Sequence, residues 1–212
     1  MEEVEIKSIL DSVMTGFTKI FQSVIFQQIL LRFVLKKYDD GIESIEKQFQ
    51  INFVRNDESL EFLNMYVAGV VGNTIDNMNA QLRQEIQRAQ LDGVGVKELK
   101  RRVKEEFNSK QMMNRLKTTI RTEGSRAGNL AQMDAARQTG FPMVKYLDVV
   151  IDAVTSNICL AENKKYGSKD KAIPLEEDFI IRAKVGKKMK TFRKQQPPFH
   201  INCRTNVRFM RK

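Results

Sequence analysis

The chain has no tryptophan, a single histidine (His200) and only two cysteines (Cys159 and Cys203) in 212 residues. Two cysteines cannot make the disulfide framework of a small secreted domain. One histidine excludes a His-rich metallonuclease site and the H-E-x-x-H pattern, and neither a G-x-S-x-G elbow nor a P-loop is present. Long apolar runs are also scarce. The most apolar stretch, Ile20–Leu35, has 16 residues and carries Gln22, Gln27, Gln28 and Arg32, too short and too polar to span a bilayer comfortably. Its polar face is rich in Gln and poor in Lys and Arg, which argues against a helix lying on a membrane surface. The opening MEEVEIKSIL is acidic, and no small-residue cleavage site follows it, so it does not read as a secretory signal. The expectation is a soluble protein folding in a reducing cytoplasm, with no membrane partner.

Apolar residues make up 42% of the chain, enough for a core, and the formal net charge is +10 with a pI near 9.6. The charge is unevenly spread. Between Ile181 and Lys212 there are eleven Lys and Arg and no Asp or Glu: Arg182, Lys184, Lys187, Lys188, Lys190, Arg193, Lys194, Arg204, Arg208, Arg211 and Lys212. The rest of the chain is therefore close to neutral. An ordinary solvated face mixes both signs. A run this one-sided predicts a phosphate-contacting surface, and the bland alternative is a basic tail that meets acidic neighbours in an assembly. No aromatic-rich stacking pattern accompanies it, so the expected partner is double-stranded DNA held without sequence specificity.

Apolar spacing predicts a helix from Val4 to about Tyr38, carried by Ile9, Val13, Phe17, Ile20, Phe21, Val24, Leu31 and Leu35 and stopped by Asp39-Asp40-Gly41. Further helices are predicted from Glu58 to about Ala89, from Val96 to about Phe107 after the Asp92–Gly95 turn, and from Gln111 to about Thr139, where Gly140 and Pro142 end it. Beyond Pro142 the texture changes. Met143–Asp152 reads as a strand, Asp152–Asp170 as a polar loop with one helical turn, Ile180–Pro198 as a hairpin around Gly186, and Thr205–Met210 as a last strand. The fold class is α+β: a mostly helical N-terminal two-thirds and a small mixed, β-containing C-terminal lobe.

The lone histidine and one of the two cysteines fall together in QQPPFHINCRT, at H-x-x-C spacing, with Cys159 about forty residues upstream. Cys159, His200 and Cys203 are suitable ligands for zinc, which takes four in a structural site. Asp152 is a candidate fourth, as are Glu162 and water. Three plainer readings stand beside it: two buried cysteines, one disulfide, and a histidine that hydrogen-bonds across the turn. A Cys159–His200 nucleophile–base pair is a further arrangement, but nothing marks an oxyanion hole.

The ordered motifs GVGVKELKRRVKEEF, LKTTIRTEGSRAGNLAQMDAARQTG, DAVTSNIC and PPFHINCRT resemble the phage head morphogenesis, or minor head protein, family of the phage Mu F type, over roughly Leu91 to Thr205. The positions that match are Arg121, Thr122, Glu123, Asn129, Asp152, Thr155, Cys159, His200, Cys203 and Arg204. Departures stand at Val154, Glu162 and Thr205, where many relatives carry Arg, Cys and Cys. The resemblance implies a minor head (capsid) protein of a tailed phage or prophage. Such a protein is associated with the portal and major capsid proteins, lies inside the virion near the portal vertex, is made in the host cytoplasm, contacts packaged DNA and is not an enzyme. It divides the chain into a helical region, 1–90, for portal or capsid docking and a head-morphogenesis domain, 91–212. On the long helix, Arg121 and Glu123 are expected to pair with Asp152 and Arg204 as a polar clamp. The competing reading is a metal-dependent nucleic-acid-processing enzyme using Cys159, His200 and Cys203. The shortage of carboxylates and imidazoles around PPFHINCRT argues against it.

Overall fold

The computed structural model of the chain describes residues 23–106 and 109–212. Its order is α1 (Ser23–Phe49), α2 (Asp57–Leu91), α3 (Val96–Glu106), α4 (Ser109–Gln138), β1 (Met143–Asp148), α5 (Asn157–Tyr166), a 3-10 turn at Lys169–Lys171, β2 (Ile173–Pro174), β3 (Phe179–Val185), β4 (Lys188–Lys194) and β5 (Asn206–Arg211). Helices occupy the first two-thirds and the strands follow, so the α+β assignment holds. Among the described residues no helix is long and apolar enough to cross a membrane.

The predicted helix from Val4 starts outside the described residues. Its predicted stop at Asp39-Asp40-Gly41 is overturned, because α1 runs through all three to Phe49. The two acids that suggested a turn are each paired with a base: Lys37 reaches Asp40 at 2.7 Å and Arg55 reaches Asp39 at 2.6 Å. Gly41 serves close packing instead of termination. A Cβ at that position would lie 2.6 Å from the Gly128 carbonyl oxygen and 2.8 Å from the Ala131 Cβ of α4. The glycine lets two helix backbones approach, a role that outweighs its helix penalty of about 1 kcal/mol.

The chain forms two compact units. Over its described residues, the first takes in 23–32 and 64–117, and the second 33–63 and 118–212. In the first, Val67, Val71, Leu82, Ile86, Ala89 and Leu99 are buried at helical spacing. Glu98 of α3 bridges Arg101 and Arg102, and these guanidiniums hold its carboxyl down to about 2.

The second unit holds two small antiparallel sheets. One has the order β2-β1-β5, with β1 paired to β5 from Met143↔Arg211 to Asp148↔Asn206. The other is the hairpin β3–β4, closed by the two-residue Gly186-Lys187 turn with Gly186 at φ +62°, where a tight hairpin needs glycine. Strand alternation sends Met143 and Leu147, Phe179 and Ile181, and Val207 and Phe209 into one cluster with Ile45 of α1 and Met133, Ala135 and Ala136 of α4.

The same alternation buries Lys145, between Met143 and Leu147, completely. Its ammonium donates to the Gln195 carbonyl at 2.9 Å and lies 5.1 Å from the Phe179 ring centre. Loss of water pushes its pKa down to about 8, with Glu176 pulling the other way. Between that value and the ordinary 10.5 the unfolded chain carries a proton that the folded one has released, so stability rises with pH across this window. Relative to a Lys145→Met variant, the wild type should gain about 1–3 kcal/mol of unfolding free energy between pH 8 and 10.5. Urea melts at a series of pH values would show it as a diverging pair of curves. Parallel curves would mean that the ammonium is hydrated in the folded state.

Candidate metal centre and cationic surface

The loop expected to hold one helical turn instead folds into α5, three turns long. Ser156 is its N-cap, and the side-chain oxygen accepts from the Cys159 amide at 3.1 Å. That bond fixes Cys159 in the first turn, with its sulfur buried. The H-x-x-C spacing is that of a four-residue turn. The Cys203 amide donates to the His200 carbonyl at 3.3 Å, and Asn202 takes the left-handed conformation (φ +61°) that asparagine tolerates. The turn brings both side chains to Cys159.

The Cys159 sulfur lies 2.9 Å from His200 Nε2 and 3.8 Å from the Cys203 sulfur, and all three ligand atoms fall within 4.8 Å of one another. Both cysteines are free thiols. Ser156 Oγ also reaches His200 Nε2, at 2.7 Å, and the Thr205 hydroxyl donates to the Cys159 sulfur at 3.2 Å. His200 Nδ1 sits 2.7 Å from the Ile201 carbonyl oxygen. A carbonyl only accepts, so Nδ1 carries the hydrogen and the Nε2 lone pair faces the sulfurs. The Cys159 thiol donates to the Cys203 sulfur and, with His200 beside the pair, holds Cys203 well below an ordinary thiol. Cys159 is raised by the proton it shares with Cys203 and by burial, and His200 is raised by Cys203.

Asp152 is not among the clustered ligands. Both its oxygens are taken by Arg204 at 2.6 Å, which drives its carboxyl far below the usual range, and its backbone is stapled to the Thr155 hydroxyl at 2.7 Å. Glu162 is buried and paired with Lys165 at 3.1 Å.

The expected clamp of Arg121 and Glu123 on Asp152 and Arg204 is overturned. Asp152 and Arg204 pair with each other, Glu123 accepts from Arg126 at 2.9 Å, and Arg121 is exposed. The neighbouring motif residues hold the β region to α4 through its backbone. Thr122 Oγ1 accepts from the Asn202 amide at 3.0 Å. Buried Asn129 accepts from the Val207 amide at 2.8 Å and donates to the Ser125 and Thr205 carbonyls at 2.7 and 3.4 Å. Short polar side chains reach backbone groups that long charged ones would overshoot.

The basic run divides in a way no linear count shows. The hairpin register sets Ile180 opposite Arg193, Arg182 opposite Thr191 and Lys184 opposite Met189 on one face. Phe179 opposite Lys194, Ile181 opposite Phe192 and Ala183 opposite Lys190 make the other. Arg182, Lys184 and Arg193 therefore project from one side, and Lys190 and Lys194 from the opposite side. Lys187 and Lys188 sit at the tip, and all seven are exposed. On β5, Arg208 is paired with Asp148 at 2.7 Å and Arg211 lies 3.8 Å over the Phe141 ring, whereas Lys212 is exposed.

Residues 80–208, more than half of the chain, match the family described as Phage Mu protein F like protein, and the chain belongs to that family. It is thus a phage head-related protein. The matched span includes α4 with its Thr122 and Asn129 anchors, the Cys/His cluster and the cationic hairpin. No curated protein and no solved structure matches the chain.

Proposed function

We propose that the chain is a minor head protein of a tailed phage or prophage that sits inside the virion near the portal vertex and contacts packaged duplex DNA without sequence specificity. The observation that carries this reading is the β3–β4 ribbon: seven exposed Lys and Arg on two faces and a tip, with no acidic side chain between Phe179 and Lys194. The face that carries Arg182, Lys184 and Arg193 is turned away from the core that Phe179 and Ile181 join, so its cations, with those of the tip, would meet the phosphates along one side of a duplex. The ribbon carries no Asn, Gln, Asp or Glu to read adenine or cytosine edges, and its run of cations favours backbone contact. Residues 1–90 would supply docking to the portal and major capsid proteins. A hydrolytic role has less support. The Cys/His cluster includes no carboxylate or second imidazole, and Asp152 is held by Arg204. Gradient-purified heads should contain the chain, and it should co-purify with the portal protein from an infected lysate. Its absence from particles would end this reading.

A further inference from the structure

We propose that Cys159, His200 and Cys203 bind one zinc ion, with the fourth position open to a small pocket lined by Val150, Thr155, Ser156, Asn202 and Arg204. This inference is independent of the DNA-contact reading.

Four observations converge on it. First, two thiolates on one tetrahedral zinc, each about 2.3 Å from the metal, stand about 3.8 Å apart. The two sulfurs are 3.8 Å apart, far beyond the ~2.05 Å of a disulfide. Second, the imidazole is already oriented. Its Nδ1–H is anchored on the Ile201 carbonyl, the outer hydrogen bond that metal-ligating histidines use, and its Nε2 faces the Cys159 sulfur at 2.9 Å and the Ser156 hydroxyl at 2.7 Å, a contact the ion would replace. At 2.9 Å from the Cys159 sulfur, Nε2 needs to withdraw by roughly 0.6 Å to reach the spacing a shared ion requires. Third, the Thr205 hydroxyl donates to the Cys159 sulfur, a contact that supports a metal-bound thiolate. Fourth, two sulfurs and one imidazole nitrogen form a soft donor set that suits zinc and disfavours magnesium or calcium.

The fourth ligand is water from the pocket. Asp152 cannot serve, because Arg204 holds both of its oxygens. No general base stands at the open position, so the ion's role is structural. It would tie the first turn of α5 to the turn that leads into β5, closing a loop of 44 residues.

The test uses the full chain, kept reduced. Zinc titrated against a chromogenic chelator should be taken up at one equivalent, with both thiols protected from a thiol reagent. Cobalt in place of zinc should give the absorption of a tetrahedral site with thiolate-to-metal charge transfer. Zinc at about 100 times its dissociation constant should raise the melting temperature by about 5 °C or more. Cys203→Ser should abolish uptake at this stoichiometry, and Asp152→Asn should leave it intact. Failure of the reduced wild-type chain to compete for zinc, with both thiols reactive and the melting temperature indifferent to metal, overturns the proposal. So does uptake that survives Cys203→Ser, which would put the ion elsewhere. The wild-type titration decides even where a variant fails to fold.

Discussion

Asn129→Ala should lower the unfolding free energy by about 3 kcal/mol, a large share of a stability of ordinarily about 5–15 kcal/mol. The side chain is 1% exposed and accepts from the Val207 amide while donating to the Ser125 and Thr205 carbonyls. Truncation leaves a buried amide at the start of β5 without an acceptor, where water does not reach. Asn129→Asp should not rescue it. It keeps an acceptor for Val207 but sets a buried negative charge against two carbonyl oxygens. Arg121→Ala, eight residues earlier in the same helix and exposed, should change stability by no more than about 0.5 kcal/mol. Denaturant melts of the three variants compare them directly. A loss below 1 kcal/mol for Asn129→Ala, or a large one for Arg121→Ala, would contradict the assignment of the clamp to backbone contacts.

The second large effect concerns the ribbon. Replacing Arg182, Lys184 and Arg193 by alanine strips one face, and replacing Lys188, Lys190 and Lys194 strips the other together with part of the tip. If the duplex lies along the outward face, the first triple variant should weaken binding by on the order of 100-fold near 0.1 M salt, and the second, whose Lys190 and Lys194 stand on the core side, should weaken it less. The first should also flatten the slope of log K against log salt by about 3. The loss should be the same on unrelated sequences. Arg208→Ala should matter little, since Asp148 already neutralises that guanidinium. If the first triple variant binds like the wild type, the outward face of the ribbon is not where DNA lies.

Much of this architecture was legible in the sequence. Helical spacing and the Gly140–Pro142 stop located α4, the glycine at 186 located the hairpin, and the ordered R-T-E to H-x-x-C-R motifs pointed to the family that the chain proves to belong to. What escaped depended on partners distant in sequence. Asp39-Asp40-Gly41 has local turn chemistry, but Arg55 and Lys37 neutralise the acids and Gly128 across the helix pair uses the glycine for close contact. Over α5 the apolar content is low, so the sequence predicts a polar loop with only one helical turn. The helix's signal was the Ser156 cap three residues before Cys159. The burial of Lys145 was not legible, because Val144 and Tyr146 on the other face of β1 are apolar too and a lysine inside runs against the burial preference of its type.

Within the motif, sequence spacing offers Cys159, His200 and Cys203 as a set of candidates, and the structure gathers them within 4.8 Å. It could not show that Asp152 would turn towards Arg204 and away from them, because both pairings satisfy the same charge pattern. Nor could it divide the basic run between two faces, since that division rests on strand register.

The claim that packaged DNA lies against the β3–β4 ribbon is tested most directly by lysine acylation of intact heads, comparing DNA-filled with emptied particles and reading the modified peptides by mass spectrometry. Lys184, Lys187 and Lys188 should be protected in filled heads and labelled in empty ones, while exposed Lys47 on α1 labels equally in both. Equal labelling of these three ribbon lysines in the two kinds of particle would contradict it.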